Sequence, residues 1–405
     1  MINKDFFEFI EKNKEEDIIN LSLRTPRSEL NFDLDFALLQ IENRKKNFIK
    51  LKNFISNPNF IFPDNLAPQQ ASHQAVAIFH SSLINSCKVL DMTAGLGIDA
   101  FTMAFNGNDV TAVELNPLKS KFLEYNAKVL GLQNFNVINA DSLEVLKNSS
   151  EKFDVIFADP SRRNTENNRL YNLKDCIPDV ISNQGLLLES ANNVLIKASP
   201  LLDLSQTIRD FPTTTALYVV GVKGECKEIL IYLNKKLFTE KASIDIFSID
   251  LNTEGEIINL FKTERKKDSL INFPSEIPYI NTNELTPGRF ILEPSSLIMK
   301  IAPWKEICYK FKSKKFSPSS HLFLSDHKPD YFPGRVTRIE KLISKKDRKS
   351  FKGFPASVVS KNHPLSSEEI RKDWNLAEGN DFFIYASSIG KTKVFILTNN
   401  SQYFP

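Results

Sequence analysis

A hydrophobic strand that runs into a glycine-containing turn, and then into a helical pattern, constrains this chain most. The strand and turn occupy residues 89–97 (VLDMTAGLG), with Asp91 closing the strand, and the next strand ends in Glu114. Gly95 and Gly97 remove side chains where a ligand must lie against the backbone, and the amides beyond them open a helix whose N-terminus favours an anionic group. Glu114 stands where a carboxylate accepts hydrogen bonds from both hydroxyls of a ribose. The pattern predicts a nucleoside-cofactor site.

Two further strand ends narrow the choice of cofactor. The strand at 135–138 is followed by Asp141, and the strand at 153–158 ends in Asp159-Pro160. Acid at the ends of four successive strands resembles the class I S-adenosylmethionine (SAM) methyltransferases. The resemblance implies a glycine turn under the methionine part of SAM, acids facing the ribose and the adenine, and a methyl-transfer site after the fourth strand.

By the same resemblance, SAM is the expected cofactor and its contacts come from the strand ends and from the segment before the first strand. The expected cofactor-binding residues are Gln70, Ser72, Asp91, Thr93, Ala94, Gly95, Gly97, Asp99, Glu114, Asp141, Ser142 and Asp159. A purely structural interpretation stays open for three of them. Gln70 or Ser72 would cap the helix near His73, and Asp99 would be an acid in the first turn of a helix.

A dinucleotide dehydrogenase is the rival interpretation, because residues 95–100 fit the permissive G-x-G-x-x-A pattern. Asp91 argues against it, since a carboxylate before the glycines repels a pyrophosphate and suits the ammonium group of SAM. A third interpretation makes Gly95 and Gly97 ordinary turn residues and the acids helix caps. Four acids in series disfavour that interpretation.

The alternation of strand and helix over 76–240 predicts an α/β fold with a doubly wound parallel sheet. The strands at 215–220 and 228–233 are joined by a link too short for a helical crossover, so they are predicted to be antiparallel. A parallel sheet with a terminal antiparallel hairpin resembles the Rossmann-like sheet of the class I methyltransferases, which is the predicted fold.

The chain is predicted to contain four parts: an N-terminal helical domain (1–75), a methyltransferase domain (76–240), a linker or extension (241–284) and a C-terminal domain (285–405). Glu264 to Asp268 is interpreted as a solvated linker. The C-terminal part contains a Glu293-Pro294 segment, a strand that ends at Asp326, and a final pair of strands around 382–385 and 394–397. These features resemble the THUMP-like α+β domain of a group of bacterial SAM methyltransferases.

The turn after the fourth strand supplies the expected catalytic residues: Asp159, Pro160, Arg162 and Arg163. Methyl transfer mainly requires that the nucleophile is aligned and that its proton has an acceptor, the role expected of Asp159. Enzymes that methylate exocyclic amines resemble this turn but carry a second proline and an aromatic residue, where this chain has Ser161 and Arg162. The arginines would stack on a base, clamp a phosphate or form a salt bridge within the fold. No cysteine neighbours Asp159, which argues against methylation at pyrimidine C5.

The charge is unevenly distributed along the chain. Residues 300–373 contain 18 Lys and Arg against 8 Asp and Glu, a net +10, whereas the whole chain is +3 and the rest is therefore −7. A basic domain beside an acidic one suggests a polyanionic partner. THUMP domains bind RNA, so the resemblance implies RNA, with tRNA favoured, and methylation of a nucleobase nitrogen. A methyltransferase acting on protein or a small molecule, and a non-catalytic RNA-binding protein, are the alternatives.

The remaining composition excludes several classes of protein. The four cysteines lack C-x-x-C spacing, so no metal site or disulfide framework is expected. Residues 1–20 are charged and no apolar run is long enough to cross a bilayer, so a cytoplasmic location without membrane contact is expected. The sequence does not determine the oligomeric state.

Overall fold

The computed structural model describes residues 2–162, 173–240, 243–266, 277–344 and 346–400. The chain divides into two compact units, Met1–Asn259 and Leu260–Pro405.

The first unit begins with helices, as the sequence predicts. They are α1 (Lys4–Lys12), α2 (Ile18–Arg24), α3 (Leu34–Lys46), α4 (Phe48–Ile55), α5 (Ala67–Gln70) and α6 (Gln74–Ser82). The first three start where an Asn or Asp side chain accepts a hydrogen bond from a backbone N–H of the first turn. Phe6 on α1 and Ile41 on α3 lie in a buried cluster that holds these helices together.

The N-terminal helices share a core with the sheet that follows, so they do not form a compact unit of their own. Phe101, which follows the glycine turn, packs its ring against Phe54 of α4, against Phe60 and against Phe135. Buried amide side chains join the same parts: Asn126 exchanges two hydrogen bonds of 2.9 and 3.0 Å with the backbone of Ile61. Fully buried amides are tolerated because both of their polar atoms are paired.

Alternating strands and helices form the rest of the first unit. In chain order they are β1 (Lys88–Asp91), α7 (Ile98–Phe105), β2 (Asp109–Val113), α8 (Pro117–Val129), β3 (Phe135–Ile138), α9 (Ser142–Asn148), β4 (Phe153–Ala158), β5 (Ser161–Arg162), β6 (Cys176–Ile177), α10 (Gln184–Ser190), β7 (Ala191–Ala198), α11 (Leu204–Asp210), β8 (Thr214–Val222), β9 (Glu225–Asn234), α12 (Lys235–Glu240), β10 (Ser243–Leu251) and β11 (Ile257–Lys266).

Nine of these strands form one sheet in the order β11-β10-β8-β9-β7-β4-β1-β2-β3. The strands from β7 to β3 are parallel to one another, and β9 is antiparallel to both of its neighbours. The predicted α/β fold and the antiparallel hairpin of β8 and β9 are therefore confirmed. Buried runs in β1, β4 and β7 reflect helices packed on both faces of a parallel sheet.

The hairpin is not the edge of the sheet, which corrects the prediction of a terminal hairpin followed by a linker. β10 pairs with β8 in parallel over Asp245–Leu251, and β11 lies beyond it. β10 is buried along most of its length. It therefore belongs to the core of the first unit, although the sequence predicted a linker or extension for residues 241–284. The interpretation of Glu264 to Asp268 as a solvated linker was wrong for its first three residues, which belong to β11; Lys267 and Asp268 lie outside the described residues.

The second unit has its own sheet and core. Its elements are β12 (Phe290–Pro294), α13 (Ser296–Ile301), α14 (Trp304–Lys310), β13 (Ser313–Ser317), β14 (Ser320–Ser325), β15 (Gly334–Leu342), β16 (Ser357–Lys361), α15 (Ser367–Trp374), β17 (Phe382–Ile389) and β18 (Thr392–Asn400). The strand order is β13-β14-β12-β15-β18-β17-β16, antiparallel apart from the β16–β17 pair. A separate α+β unit at the C-terminal side is thus confirmed.

Within the described ranges, no helix combines the length and the apolar character that crossing a bilayer requires.

Candidate active site

The carboxyl ends of the parallel strands bring three of the predicted acids to one edge of the sheet. Asp91 closes β1 and is level with Ala112 on β2 and Phe157 on β4. Glu114 lies two residues after Ala112, just beyond the end of β2, and Asp159 lies two residues after Phe157, just beyond the end of β4. Ligands of doubly wound sheets bind outside this edge, where strands end and helices begin.

The glycine turn connects β1 to α7, and its two glycines have different tasks. Both have positive φ, +55° at Gly95 and +91° at Gly97. A Cβ at Gly97 would lie 2.5 Å from the side chains of Leu123 and Phe101, so core packing requires glycine there. A Cβ at Gly95 would meet only the carbonyl oxygen of Thr93, at 3.8 Å. Core packing thus accounts for Gly97, and the expectation that both glycines make room for a ligand stays a prediction.

Glu114 and the glycine turn are joined directly. One carboxylate oxygen of Glu114 accepts a hydrogen bond of 3.1 Å from the N–H of Gly95, and the other accepts one of 2.7 Å from the N–H of Asn116. The carboxylate is partly exposed and each oxygen retains a further lone pair, so it can still accept hydrogen bonds from hydroxyl groups.

Asp141 and Ser142 lie at the start of α9. Asp141 is exposed and caps this helix, accepting from the N–H groups of Leu143 at 2.8 Å and Glu144 at 3.4 Å. Ser142 is buried as the first residue of the helix. Capping accounts for the conformation of Asp141 without a ligand, and one of its oxygens is not needed for the cap.

Asp91 is almost completely buried, at 2 % exposure, and accepts a hydrogen bond of 2.9 Å from the N–H of Thr93. Burial raises the pKa of Asp91 to about 8, and the charges of Asp99, Asp159 and Glu114 add to this rise, while the Thr93 N–H opposes it. A cation placed against Asp91 would therefore favour its ionised form.

Asp159 is anchored at both its backbone and its side chain. Its N–H donates a hydrogen bond of 2.7 Å to the hydroxyl of Thr93, and its Oδ2 accepts one of 2.6 Å from Nζ of Lys197 on β7. The side chain of Asp159 is 36 % exposed, whereas that of Lys197 is 14 % exposed. The carboxylate thus lies at the surface of the site and the ammonium group beneath it.

Behind this ion pair, five side chains are connected in a closed series of hydrogen bonds and ion pairs, which we call the buried ring. Its members come from five parts of the first unit: Ser72, His80, Asp99, Lys197 and Glu228. Lys197 donates to Ser72 Oγ at 2.9 Å, and Ser72 donates to Asp99. His80 bridges Asp99 Oδ1 at 2.8 Å and Glu228 Oε1 at 2.5 Å, and Glu228 Oε2 lies 3.9 Å from Lys197 Nζ.

The ring is highly charged for a buried position. Burial disfavours the protonated imidazole of His80, but the two carboxylates that contact it outweigh this effect and raise its pKa to about 10. Burial likewise opposes ionisation of Asp99, and its hydrogen bond with His80, together with the charges of His80 and Lys197, keeps its pKa below the usual value. Both contacts of His80 are therefore ion pairs near neutral pH.

For Gln70, Ser72 and Asp99, the structure does not support an interpretation only as helix caps or as a first-turn acid. His73, rather than Gln70 or Ser72, caps α6, through Nδ1 and the N–H of Ala75. Ser72 and Asp99 are members of the buried ring, so Asp99 is more than an acid in a first helical turn. Gln70 is exposed at the end of α5.

The other predicted residues complete the turns. Ala94 donates its N–H to the carbonyl of Val113 at 3.0 Å, and Pro160 is partly exposed after Asp159. The backbone of β5, which contains Arg162, pairs antiparallel with β6. Arg163 lies outside the described residues, as does the side chain of Arg162.

The sequence reading missed His80, Lys197 and Glu228. Each had a signal: a charged or titratable residue placed inside an otherwise apolar segment, with Lys197 near the end of β7, Glu228 in the buried part of β9 and His80 on the buried side of α6. Buried charges are rare without partners, so three of them in adjacent elements point to one network.

Comparison with known proteins links these features to methyltransferases. Residues 65–170 match the family model described as "Putative SAM-dependent methyltransferase", which covers the glycine turn and all four acids. Residues 290–333 match a ferredoxin-like domain, whereas the THUMP-like character of the second unit stays a prediction.

The curated relatives align with parts of the chain. Ribosomal RNA small subunit methyltransferase J of Shewanella sediminis is 35% identical over 91 residues, which is 20% of this chain and 35% of that protein. An uncharacterized RNA methyltransferase of Fusobacterium nucleatum is 25% identical over 234 residues, 55% of this chain and 49% of that protein. The matches thus span between about a third and a half of the length of these relatives.

One solved structure is similar over nearly the whole chain. It is a protein of Porphyromonas gingivalis W83 described as "putative methyltransferase", with a TM-score of 0.83 and 23% identity, covering 99% of this chain and 100% of that one. This similarity shows that both units share the fold of that structure.

Proposed function

We propose that this protein is a SAM-dependent methyltransferase that acts on RNA, transferring the methyl group to a nucleobase nitrogen. The observation that carries the proposal is the gathering of Asp91, Glu114 and Asp159 around the turn at Gly95, at the carboxyl edge of the parallel sheet. The match of residues 65–170 to a SAM-dependent methyltransferase model supports the choice of cofactor.

The residues present fit SAM. Asp91 is a buried acid whose pKa is raised by burial. The ammonium group of the methionine part of SAM would supply the positive charge that favours its ionised form. Glu114 retains lone pairs for the ribose hydroxyls, and Asp141 has an oxygen left for the adenine amino group. Gly95 leaves open space beside the turn. SAM, when bound, supplies an electrophilic methyl group on a sulfonium.

Asp159 is the residue of this chain best placed to handle the acceptor. Methyl transfer forms a bond between the acceptor nitrogen and the methyl carbon while the carbon–sulfur bond breaks and its electron pair goes to sulfur. The nitrogen then loses a proton, and a carboxylate at the surface of the site can accept it. Asp159 Oδ2 already accepts from Lys197, which leaves Oδ1 for the acceptor.

An RNA substrate is supported by the names of the relatives and by charge. Ribosomal RNA small subunit methyltransferase J and two proteins named as RNA methyltransferases align with this chain. The excess of +10 between residues 300 and 373 would attract a polyanion to the second unit. Among RNAs, tRNA is the substrate we favour, and a protein or small-molecule acceptor is the alternative class.

The test is transfer of labelled methyl from SAM into RNA of a strain that lacks this protein, followed by separation of tRNA, rRNA and protein. We expect label in one RNA fraction, lost in Asp159→Asn and retained in Asp35→Asn, which alters an exposed aspartate of α3. Label in protein alone would contradict the RNA substrate. No label in any fraction, with no SAM binding by calorimetry, would contradict the methyltransferase itself.

A further inference from the structure

The ammonium group of Lys197 faces three acceptor groups, two of them within hydrogen-bond distance. It donates to Asp159 Oδ2 at 2.6 Å and Ser72 Oγ at 2.9 Å, and Glu228 Oε2 lies at ion-pair distance, 3.9 Å. A lysine ammonium has three protons and no acceptor, so two hydrogen bonds and the nearby carboxylate of Glu228 restrict its position. Such restriction is unusual for a long, flexible side chain, which normally moves among rotamers.

The acceptors of Lys197 are themselves held in place. Ser72 gives its own proton to Asp99, so its oxygen lone pairs are left for Lys197. His80 holds both Asp99 and Glu228. Since α6, α7, β7 and β9 each supply one member, the position of Lys197 depends on the packing of the whole unit and not on a mobile loop.

The charges within the buried ring balance one another, so the negative charge of Asp159 is not balanced by the ring. Within the buried ring, the two cations His80 and Lys197 balance the two carboxylates Asp99 and Glu228. Asp159 contributes a further negative charge outside the ring, and within the described ranges no second donor reaches its side chain. The ring is therefore neutral, and it presents one ammonium group to a carboxylate at the surface of the site.

We propose that Lys197 is a positioning residue for methyl transfer: it holds Asp159 as a carboxylate with Oδ1 directed at the acceptor group, and the other four members of the buried ring hold Lys197. This inference rests on the proposed function and deepens it. It specifies an acceptor nitrogen that carries a proton to be lost, an N–H of a nucleobase, because only such a group uses a fixed carboxylate.

The protonation of Asp159 follows from this arrangement. Burial raises the pKa of Asp159, and Lys197 is the group that opposes the rise, while Asp99 and Glu228 add to it. Asp91 also lies within electrostatic range of Asp159. Removing the ammonium group therefore moves Asp159 toward its neutral form, which no longer accepts a proton.

The experiment compares Lys197→Met, which keeps the length of the side chain but not its charge, with Lys197→Arg and Ser72→Ala. The matched control is Lys147→Met, which alters an exposed lysine of α9 paired with Glu144. We expect Lys197→Met to lower kcat by about 100-fold, the scale of general acid–base effects. The acidic limb of its rate profile should move to higher pH, while the Kd for SAM changes less than about threefold. Lys197→Arg should recover part of the rate. The kcat of Ser72→Ala should lie between those of the wild-type protein and Lys197→Met.

A second measurement needs no substrate. The carboxyl carbon of Asp159, labelled with carbon-13 and assigned by its loss in Asp159→Asn, reports the pKa of Asp159 by NMR titration. We expect that pKa to rise in Lys197→Met and to stay unchanged in Lys147→Met. An unchanged pKa, or a loss of rate explained by weaker SAM binding alone, would overturn the inference. If wild-type protein transfers no methyl to RNA yet the pKa responds as stated, the proposed function has failed while the positioning of Asp159 stands.

Discussion

The hydroxyl of Thr93 accepts a hydrogen bond of 2.7 Å from the backbone N–H of Asp159. This bond joins the turn after β1 to the turn after β4, two strands that lie side by side in the sheet. Thr93 also donates its own N–H to the buried carboxyl of Asp91. One residue of the glycine turn thus fixes both the proposed cofactor acid and the proposed acceptor acid.

Replacing Thr93 by valine tests this connection. Valine keeps the shape of threonine but leaves the Asp159 N–H without its partner, so we expect the free energy of unfolding to fall by about 1–3 kcal/mol. The rate of methyl transfer should fall more than SAM binding does. Thr102→Val is the control, because the hydroxyl of Thr102 only bonds back to the helix carbonyl of Ile98. If urea denaturation gave the same loss of unfolding free energy for Thr93→Val and Thr102→Val, the proposed role of the Thr93 hydroxyl would be wrong.

The two glycines of the turn should respond differently to alanine. At Gly97 a Cβ meets Leu123 and Phe101 at 2.5 Å and the backbone is left-handed, so we expect a loss of about 2–5 kcal/mol of stability. At Gly95 the space is open and only the left-handed backbone is unfavourable, at about 1–2 kcal/mol. Gly95→Ala should fold and bind SAM more weakly. Thermal unfolding and calorimetry distinguish the two, and equal losses of stability would contradict the assignment.

Asp91 should make stability fall with rising pH. Its pKa is about 8 in the folded protein against an ordinary 3.8, so the folded state keeps a proton that the unfolded chain releases. Stability from this group is greatest at low pH and declines from about pH 4 to about pH 8. We therefore expect Asp91→Asn to raise the thermal midpoint more near pH 9 than near pH 5, and to weaken SAM binding. A midpoint shift independent of pH would argue against a neutral buried Asp91.

His80 should lose its stabilising effect at alkaline pH. Its folded pKa of about 10 exceeds the ordinary 6.5, so its contribution is complete below pH 6.5 and disappears as the pH rises through about 10. His80→Gln removes the cation between Asp99 and Glu228 and leaves Lys197 as the remaining cation of the ring, at a cost of about 3–5 kcal/mol near pH 6 that shrinks toward pH 10. Exposed His327 provides the control, His327→Gln. The measurement is urea unfolding across this pH range, and a constant difference would contradict the ion pairs.

The exposed lysines of the second unit should govern salt-sensitive RNA binding. Lys346, Lys349 and Lys352 are exposed around the short helix at Asp347–Phe351. Reversing all three to glutamate should weaken RNA binding and reduce the dependence of log K on log salt by about 2 to 3, as expected for three lost phosphate contacts.

The matched control for this prediction reverses three exposed lysines of the first unit, Lys121, Lys128 and Lys147. These should change the salt dependence little. If both sets weaken binding equally, net charge rather than the second unit attracts the RNA.

The predicted strand ends illustrate what a single sequence can supply. Apolar runs followed by acid at Asp91, Glu114 and Asp159 are local patterns, and parallel strands necessarily bring their carboxyl ends to one edge. The hairpin of β8 and β9 was predictable for the same kind of reason, because so short a link cannot hold a helical crossover. Residues 244–251 have a strand-like pattern, but their pairing with β8 was not predictable, because a strand has no local mark of the sheet that it joins.

The local sequence determined that this chain forms a methyltransferase-type sheet with an acid-lined glycine turn, because strand periodicity, turn glycines and terminal acids are properties of neighbouring residues. Only the tertiary structure decided that Gly97 serves the core, that Ser72 and Asp99 belong to one network, and that His80, Lys197 and Glu228 complete it. Glu228 lies 148 residues from His80 along the chain, yet their side chains are 2.5 Å apart. Pairing of buried charges over such separations depends on how helices pack on the sheet, which no local pattern encodes.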